Sequence, residues 1–149
     1  MTVRLQTEPL DPEVEVRTFR GRLDESGALV TFTGLMRGQD GIREISRMTL
    51  EHYPGMTEAS LMAIEKEALE RWPLDDCLII HRIGEIMPGE PILLVAIAAR
   101  HRQQAFKAAE FLIDWLKTKA PFWKYEEDSD GGRWVGARSQ DDKLAKRWD

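Results

Sequence analysis

The longest regular pattern of apolar and polar positions in this chain runs from residue 101 to residue 120. Apolar side chains recur there at intervals of three and four, the period of an α-helix that buries a wide face. The main apolar face consists of Ala105, Ala109, Leu112 and Leu116, with Phe106 and Ile113 beside it, and Phe111 and Trp115 form a second strip. The remaining polar seam is Lys107, Glu110, Asp114 and Lys117. The pattern predicts a core helix that ends before Pro121 and places Lys117 in a cleft.

Shorter patterns on either side predict strands and two further helices. Alternating or continuous apolar runs predict strands at residues 2–7, 28–34, 45–53, 78–83, 91–99 and 133–138. Asp11 followed by Pro12 predicts the start of a first helix that ends at about Arg20, and Thr57 is expected to cap a second helix that reaches Trp72. The order β-α-β-β-α-β-β-α-β indicates a single α+β domain over residues 1–149, with helices packed on an antiparallel or mixed sheet.

The segments between these elements are predicted to be turns and loops. Residues 87–90, Met-Pro-Gly-Glu, have the proline and glycine order of a type II turn. Residues 125–132 are polar and rich in glycine and are expected to form a loop, and residues 38–41 are expected to form a mobile connection. Residues 139–149 form a charged tail of weak helical character, to which the sequence assigns no role.

Composition and charge exclude several classes of protein. A chain of 149 residues that is 42% hydrophobic is large enough for one core. The net charge of −5 argues against non-specific nucleic-acid binding, which depends on a basic surface that neutralises phosphates. The single cysteine, Cys77, excludes an internal disulfide, and no Cys or His grouping has metal-ligand spacing, so neither a metal nor a cofactor is expected. Without a signal pattern or an apolar run of ~20 residues, we expect a cytoplasmic protein that does not enter membranes.

Six charged or titratable side chains lie at the ends of predicted elements. They are Arg37, His101, Arg102, Lys117, Lys124 and Arg138. The His101-Arg102 pair opens the core helix directly after an apolar strand, where free backbone N–H groups and cationic side chains together favour anions. Spacing alone does not show that the six side chains converge. Two further histidines, His52 and His81, fall within predicted strands and are interpreted as structural.

Several segments of the chain resemble one known family. The most specific of them is residues 117–124, Lys-Thr-Lys-Ala-Pro-Phe-Trp-Lys. The others are Phe32-Thr-Gly-Leu-Met-Arg37, Leu50-Glu-His-Tyr-Pro-Gly-Met56, His81-Arg-Ile-Gly84, Pro88-Gly89, His101-Arg102 and Arg133-Trp-Val135. From about Ala28 to Arg138 the chain resembles the large, catalytic subunit of molybdopterin synthase.

This resemblance implies a hammerhead-like α+β fold and a sulfur-transfer step in molybdenum cofactor synthesis. Cyclic pyranopterin monophosphate would receive two sulfurs and become the dithiolene of molybdopterin, with opening of its cyclic phosphate. The sulfur would arrive as a thiocarboxylate on the carboxy-terminal Gly-Gly of a small ubiquitin-like subunit. Two large subunits would dimerise at the centre of a heterotetramer.

The resemblance also implies roles for individual residues. Lys117 and Lys124 match the active-site lysines of the family. The anion-binding residues, some of them contributed across the dimer, are matched by Arg37, His101, Arg102 and Arg138. The chain departs from the family at Leu35-Met36, where a lysine and a valine are common, and at Tyr125, where a second basic residue often follows.

Two other classes of function are compatible with the residues alone. A non-catalytic adaptor that captures a ubiquitin-like tail would also need a cationic pocket, but it would tolerate the loss of Lys117. A single-stranded nucleic-acid binder would use aromatic side chains for stacking and basic side chains for phosphates. The aromatic candidates are Trp115, Phe122, Trp123 and Trp134.

Overall fold

The computed structural model describes residues 2–136 and 139–149, which contain ten strands and four helices. The strands are β1 (Thr2–Gln6), β2 (Ala28–Leu35), β3 (Gln39–Asp40), β4 (Arg43–Glu44), β5 (Arg47–His52), β6 (Leu74–Arg82), β7 (Gly84–Ile86), β8 (Pro91–Ala99), β9 (Phe122–Asp128) and β10 (Gly131–Val135). The helices are α1 (Pro12–Gly21), α2 (Met56–Arg71), α3 (Arg102–Thr118) and α4 (Ser139–Lys146).

A four-stranded sheet in the order β1-β6-β8-β2 carries most of the core. Strand β1 pairs with β6 in parallel, and the other two pairings are antiparallel. Alternate residues of β8 face opposite sides of this sheet. One set packs with α2 and α3, and the other packs with α1 around Phe19. Because both faces of β8 are buried, its sequence is a continuous apolar run.

A second four-stranded sheet, in the order β10-β9-β5-β7, is antiparallel throughout. The chain passes from the first sheet to the second between β6 and β7. Gly84 stands at this point with a φ of +82°, in the left-handed region that glycine adopts without steric cost. The second sheet buries its own apolar cluster, made of Met36, Ile45, Met48, Leu50 and Ile86.

The predicted fold class is confirmed, because helices pack on a mixed sheet and an antiparallel sheet in an α+β chain. The start of α1 is as expected, with the Asp11 carboxylate accepting from the Val14 N–H at 3.3 Å. The type II turn is also present. Gly89 has a φ of +85°, and the Glu90 N–H donates to the Met87 carbonyl at 3.1 Å.

Two predicted loops are in fact hairpins. Residues 125–132 were expected to be irregular because they are polar and glycine-rich, but they belong to β9 and β10, which pair from Gly131↔Asp128 to Val135↔Lys124. Residues 38–41 begin a second, short hairpin made of β3 and β4. In both hairpins, charged side chains form ion pairs with residues on other strands. The polar composition of these segments therefore reflects paired strands and not loops.

Two predictions about helix positions were wrong. Thr57 does not cap α2, which begins after Gly55, where the Glu58 carboxylate accepts from the Gly55 N–H at 2.6 Å. The Thr57 side chain is instead fully buried. Phe106 does not join the buried face of α3 and is 60% exposed, because the sheet and α2 cover only the faces around Ala105, Ala108 and Phe111.

The carboxy-terminal segment, to which the sequence assigned no role, covers one side of α3. The Trp148 Nε1–H donates to the Asp114 carboxylate at 2.6 Å, and an Arg147 guanidinium N–H donates to the same oxygen at 2.9 Å. The Trp148 ring packs edge-on against Trp72 and Phe111, with centroids 5.6 and 5.7 Å apart. A carboxylate in the middle of a buried helix is thereby paired with a cation and a hydrogen-bond donor.

We predict that Trp148→Ala lowers the free energy of unfolding by about 2–3 kcal/mol, because a packed ring and a hydrogen bond to a buried carboxylate are both lost. The measurement is urea-induced unfolding of the variant beside the unmodified protein. Trp134→Ala is the matched control, since Trp134 is 62% exposed and its loss should change stability by less than about 1 kcal/mol. Equal midpoints for the two variants would contradict the packing role of the tail.

Candidate functional site

A cavity of about 530 Å³ lies where the two sheets meet at the carboxyl end of α3. We call it the lysine cavity, because Lys117 of α3 and Lys124 of β9 both line it. Its other charged or titratable lining residues are Arg37, Asp40, His81, Glu126 and Asp141. Its apolar wall includes Phe32, Met36, Met48, Leu50, Ile92, Leu116 and Phe122. Three of the sequence-predicted site residues, Arg37, Lys117 and Lys124, are therefore brought together in one concave site.

The two lysines stand on either side of a sharp corner in the chain. Lys117 lies in the last turn of α3, and Lys124 follows in β9 after the bend at Pro121. The buried Thr57 hydroxyl donates to the Pro121 carbonyl at 3.0 Å and accepts from the Tyr53 N–H at 2.9 Å. The corner is thus fixed by α2 rather than by its own sequence. The cleft predicted at Lys117 is present, since both lysines line the cavity, and both side chains are exposed to solvent in this chain.

Three cations and three carboxylates line the lysine cavity, but the carboxylates are partly engaged elsewhere. An Arg43 N–H donates to the Glu126 carboxylate at 2.9 Å, and Arg133 lies 4.0 Å from the Asp40 carboxylate. Because Arg43 and Arg133, which do not line the cavity, engage these two carboxylates, the carboxylates compete less with an anionic ligand for Arg37 and the lysines. The arrangement therefore retains a capacity for anions in a protein of negative net charge.

The short β3–β4 hairpin forms one wall of the cavity and is clamped to β9 by Arg43. Besides the Glu126 carboxylate, the Arg43 guanidinium bonds the Glu126 carbonyl at 3.2 Å and the Asp128 carboxylate. The hydrogen bond from Arg43 is the main reason that the pKa of Asp128 lies below its ordinary value. This clamp holds the segment that follows Arg37 against the second sheet.

A second, more open depression of about 700 Å³ adjoins Arg37 on the outside of the hairpin. Its charged lining consists of Arg37, Glu44 and Asp128. With two carboxylates beside one cation, and with no lysine in its lining, this depression is poorly suited to an anionic ligand. The lysine cavity is the better candidate site.

His101 and Arg102 do not join the lysines within one chain. His101 is the N-cap residue of α3 and Arg102 is its first residue, and both are exposed. Lys117 lies fifteen helical steps after Arg102, which places the two residues about 22 Å apart along the helix axis. A single chain therefore keeps the two groups at opposite ends of α3. Arg138, the remaining predicted anion-binding residue, lies outside the described residues.

His81 is a member of the lysine cavity that sequence reasoning interpreted as structural. Its Nδ1 lies 2.8 Å from the Arg82 carbonyl oxygen, and its ring stacks on Phe122 with centroids 4.2 Å apart. Burial above all, together with the charges of Lys124 and Lys117 and against the opposing effect of the Arg82 carbonyl, lowers the pKa of His81 to about 4. The sequence signals were the position of His81 within a predicted strand and in the segment His81-Arg-Ile-Gly84, which resembles the family. Neither signal revealed its neighbours in the cavity, which come from distant segments.

In the part of the chain that the structure describes, no three His, Cys, Asp or Glu side chains are grouped as metal ligands. Over the same residues, no helix combines the length and the apolar character that a membrane span requires.

Comparison with known proteins shows which family the chain belongs to. A family model described as "MoaE protein" matches residues 5–119. The chain belongs to the MoaE family. It is 50% identical over 148 residues to the molybdopterin synthase catalytic subunit of Cereibacter sphaeroides, with 99% of this chain and all of that protein covered. The family resemblance seen in the sequence is thereby confirmed.

Solved structures of MoaE proteins have the same fold as this chain. The molybdopterin biosynthesis MoaE protein of Burkholderia ambifaria is 48% identical, with a TM-score of 0.84 over 99% of this chain and 97% of that one. Molybdopterin synthase from Staphylococcus aureus is 34% identical, with a TM-score of 0.81 over 89% of this chain and 95% of that one. The architecture around the lysine cavity is therefore the MoaE architecture.

We predict that His81 makes the stability of the protein depend on pH between about 6.5 and 4. The unfolded chain binds a proton at His81 in this range and the folded chain does not, so unfolding becomes easier as the pH falls, by up to about 3 kcal/mol in total. His81 faces Lys117, Lys124, Arg37, Asp40, Glu126 and Asp141 in the cavity and pairs in its sheet with Leu5 and Leu93.

The measurement is urea-induced unfolding from pH 7 to pH 4 for the unmodified protein and for His81→Phe. Their difference in unfolding free energy should change with pH, since only the unmodified protein carries this titration. His52→Phe, which alters a strand histidine outside the lysine cavity, is the control and should follow the unmodified protein. Parallel curves for His81→Phe and the unmodified protein would contradict the prediction.

Proposed function

We propose that this protein is the catalytic subunit of a molybdopterin synthase. It transfers sulfur from the carboxy-terminal thiocarboxylate of a small ubiquitin-like subunit to cyclic pyranopterin monophosphate, which becomes the dithiolene of molybdopterin. The observation that carries the proposal is the presence of Lys117 and Lys124 together in one cavity of a chain that belongs to the MoaE family. The cytoplasm is the proposed location.

The charges of the lysine cavity suit both reactants. A thiocarboxylate tail and a cyclic phosphate are anions, so a site that holds them side by side needs several cations. Arg37 supplies a planar, forked set of donors for an anion of fixed geometry, whereas Lys117 and Lys124 supply mobile charges. The apolar wall around Phe32 and Phe122 suits the non-reacting parts of a pterin and a peptide backbone.

Each sulfur transfer breaks the bond between the tail's acyl carbon and its sulfur and forms a carbon–sulfur bond on the pterin substrate in place of a carbon–oxygen bond. The displaced oxygen stays with the phosphate when its ring opens, or leaves as water. The acyl group then takes an oxygen from water and leaves as an ordinary carboxylate. Lys117 is exposed in the isolated chain, so the tail itself must desolvate the lysine when it fills the cavity. A desolvated lysine near other cations loses its proton more readily and becomes a nucleophile or a base toward the acyl carbon.

The positions of His101 and Arg102 support a two-chain site. They are about 22 Å from Lys117 along α3, so any contact that they make with the same substrate comes from a neighbouring copy of the chain. A homodimer of large subunits, with a small subunit at each end, supplies that arrangement. Arg138 completes the proposed anion-binding set.

We predict that Lys117→Ala abolishes molybdopterin formation while leaving association with the small subunit largely intact. Lys117→Arg should fail almost as severely, because a guanidinium keeps the charge but does not give up a proton at neutral pH. The assay supplies purified variant, thiocarboxylated small subunit and cyclic pyranopterin monophosphate, and measures product.

Lys107→Ala is the matched control for the Lys117 variants. Lys107 is an exposed lysine on the same helix, outside the lysine cavity, and its loss should leave turnover unchanged. Full activity of Lys117→Ala would favour the adaptor hypothesis. Full activity of Lys117→Arg would show that Lys117 supplies only charge.

We also predict that Arg37→Ala weakens binding of an anionic reactant by about 2 kcal/mol, or roughly 30-fold, the cost of losing a hydrogen bond to a charged group. Calorimetric titration with cyclic pyranopterin monophosphate, and separately with the unthiolated small subunit, would measure the loss. Arg17→Ala on α1, on the opposite face of the first sheet, should bind both as the unmodified protein does. Unchanged affinity of Arg37→Ala for both partners would remove Arg37 from the site.

A further inference from the structure

His81 and Lys124 are brought together by the geometry of β9. Side chains two residues apart on a strand point to the same face, about 6.7 Å from each other. Phe122 and Lys124 have this spacing, and the Phe122 ring lies directly on the His81 ring. Both His81 and Lys124 line the lysine cavity. The Lys124 side chain therefore leaves β9 on the face that carries Phe122, close enough to His81 for its charge to lower the pKa of the imidazole.

The tautomer of His81 follows from its backbone contact. A carbonyl oxygen only accepts hydrogen bonds, so the 2.8 Å contact with the Arg82 carbonyl requires the proton to be on Nδ1. In the neutral ring, Nε2 then carries a lone pair and acts as an acceptor. The stack on Phe122 fixes the plane of the ring, so the direction of that lone pair is fixed as well.

We propose that His81 is a positioning residue for Lys124, whose ammonium group donates a hydrogen bond to His81 Nε2 while the anionic reactants are bound. The proposal rests on the proposed function, since it concerns the same site. His81 does not touch the reacting atoms, and it acts by holding one lysine in a fixed direction.

A neutral acceptor suits this role better than a carboxylate. A carboxylate beside Lys124 would neutralise the ammonium group and repel the anionic tail and phosphate. Glu126, the carboxylate next to Lys124 on β9, is already bonded by Arg43 at 2.9 Å. His81 stays neutral at physiological pH because burial and the two lysine charges keep its pKa at about 4. It therefore orients Lys124 without cancelling its charge.

The first test measures kcat and KM for molybdopterin formation by two His81 variants. His81→Phe keeps a ring against Phe122 but has no acceptor, and kcat should fall by about 10- to 100-fold, the cost of misplacing a catalytic group by about 1 Å, with little change in KM for the small subunit. His81→Gln retains an acceptor oxygen and should recover part of kcat. The control His52→Phe alters the residue paired across from Phe122 on β5 and should leave both constants unchanged.

The second test does not depend on activity. Nitrogen-15 NMR of histidine-labelled protein reports the tautomer of His81 and the hydrogen bonding of Nε2. With the unthiolated small subunit bound, Lys124→Met should shift the His81 Nε2 resonance toward that of a free acceptor and raise the His81 pKa, whereas Lys117→Met should have a smaller effect on both.

The results of the two tests distinguish a failure of the proposal about His81 from a failure of the proposed function. The positioning role would be overturned if kcat were unchanged in His81→Phe. It would also be overturned if the chemical shift of His81 Nε2 did not change in Lys124→Met. Equal loss of kcat in the Phe and Gln variants, with no response of Nε2 to Lys124, would assign His81 a purely structural role. Absence of product from the unmodified protein would reject the proposed function, and the NMR result would still decide the contact between His81 and Lys124.

Discussion

The burial of α3 is the constraint on which the rest of the structure depends. The helix packs on β8 and β2 through its small residues, against α2 through Phe111, and under the carboxy-terminal segment through Asp114. With three sides fixed in this way, the last turn of the helix has no freedom to shift. Lys117 therefore emerges at one defined place, and the bend at Pro121 returns the chain so that Lys124 faces the same cavity.

Much of this architecture could be read from local patterns. The period of α3, the cap at Asp11 and the turn at Gly89 each depend on residues close in sequence, and all three are present. Residues 133–135 of β10 were predicted as a strand, but β9 and its pairing with β10 were not, because β9 is polar and is stabilised by pairing with β5 and by arginines 80 or more residues away. Such contacts leave no periodic signal in the segment itself.

The residues of the candidate site likewise fall into those that local sequence predicted and those that only the folded structure brings to the cavity. The two lysines and Arg37 were predicted because they stand at element ends, in segments that resemble a known family. The place of His81 in the cavity could not be predicted, because its neighbours Phe122 and Lys124 reach it only where the two sheets meet. The separation of Arg102 from Lys117 was already implied by the predicted core helix, because fifteen steps along one continuous helix span about 22 Å.

The contrast between β8 and the β3–β4 hairpin determines where the chain can change in length. One inserted residue in β8 would exchange its two buried faces, and no nearby segment could absorb the shift. At the hairpin tip, by contrast, Ile42 projects entirely into solvent, and the Arg43 clamp anchors the hairpin behind it. We therefore expect the chain to tolerate insertions and deletions at this hairpin, which forms one wall of the lysine cavity, but not in β8. Related proteins can diverge in the shape of the entrance while both lysines keep their places.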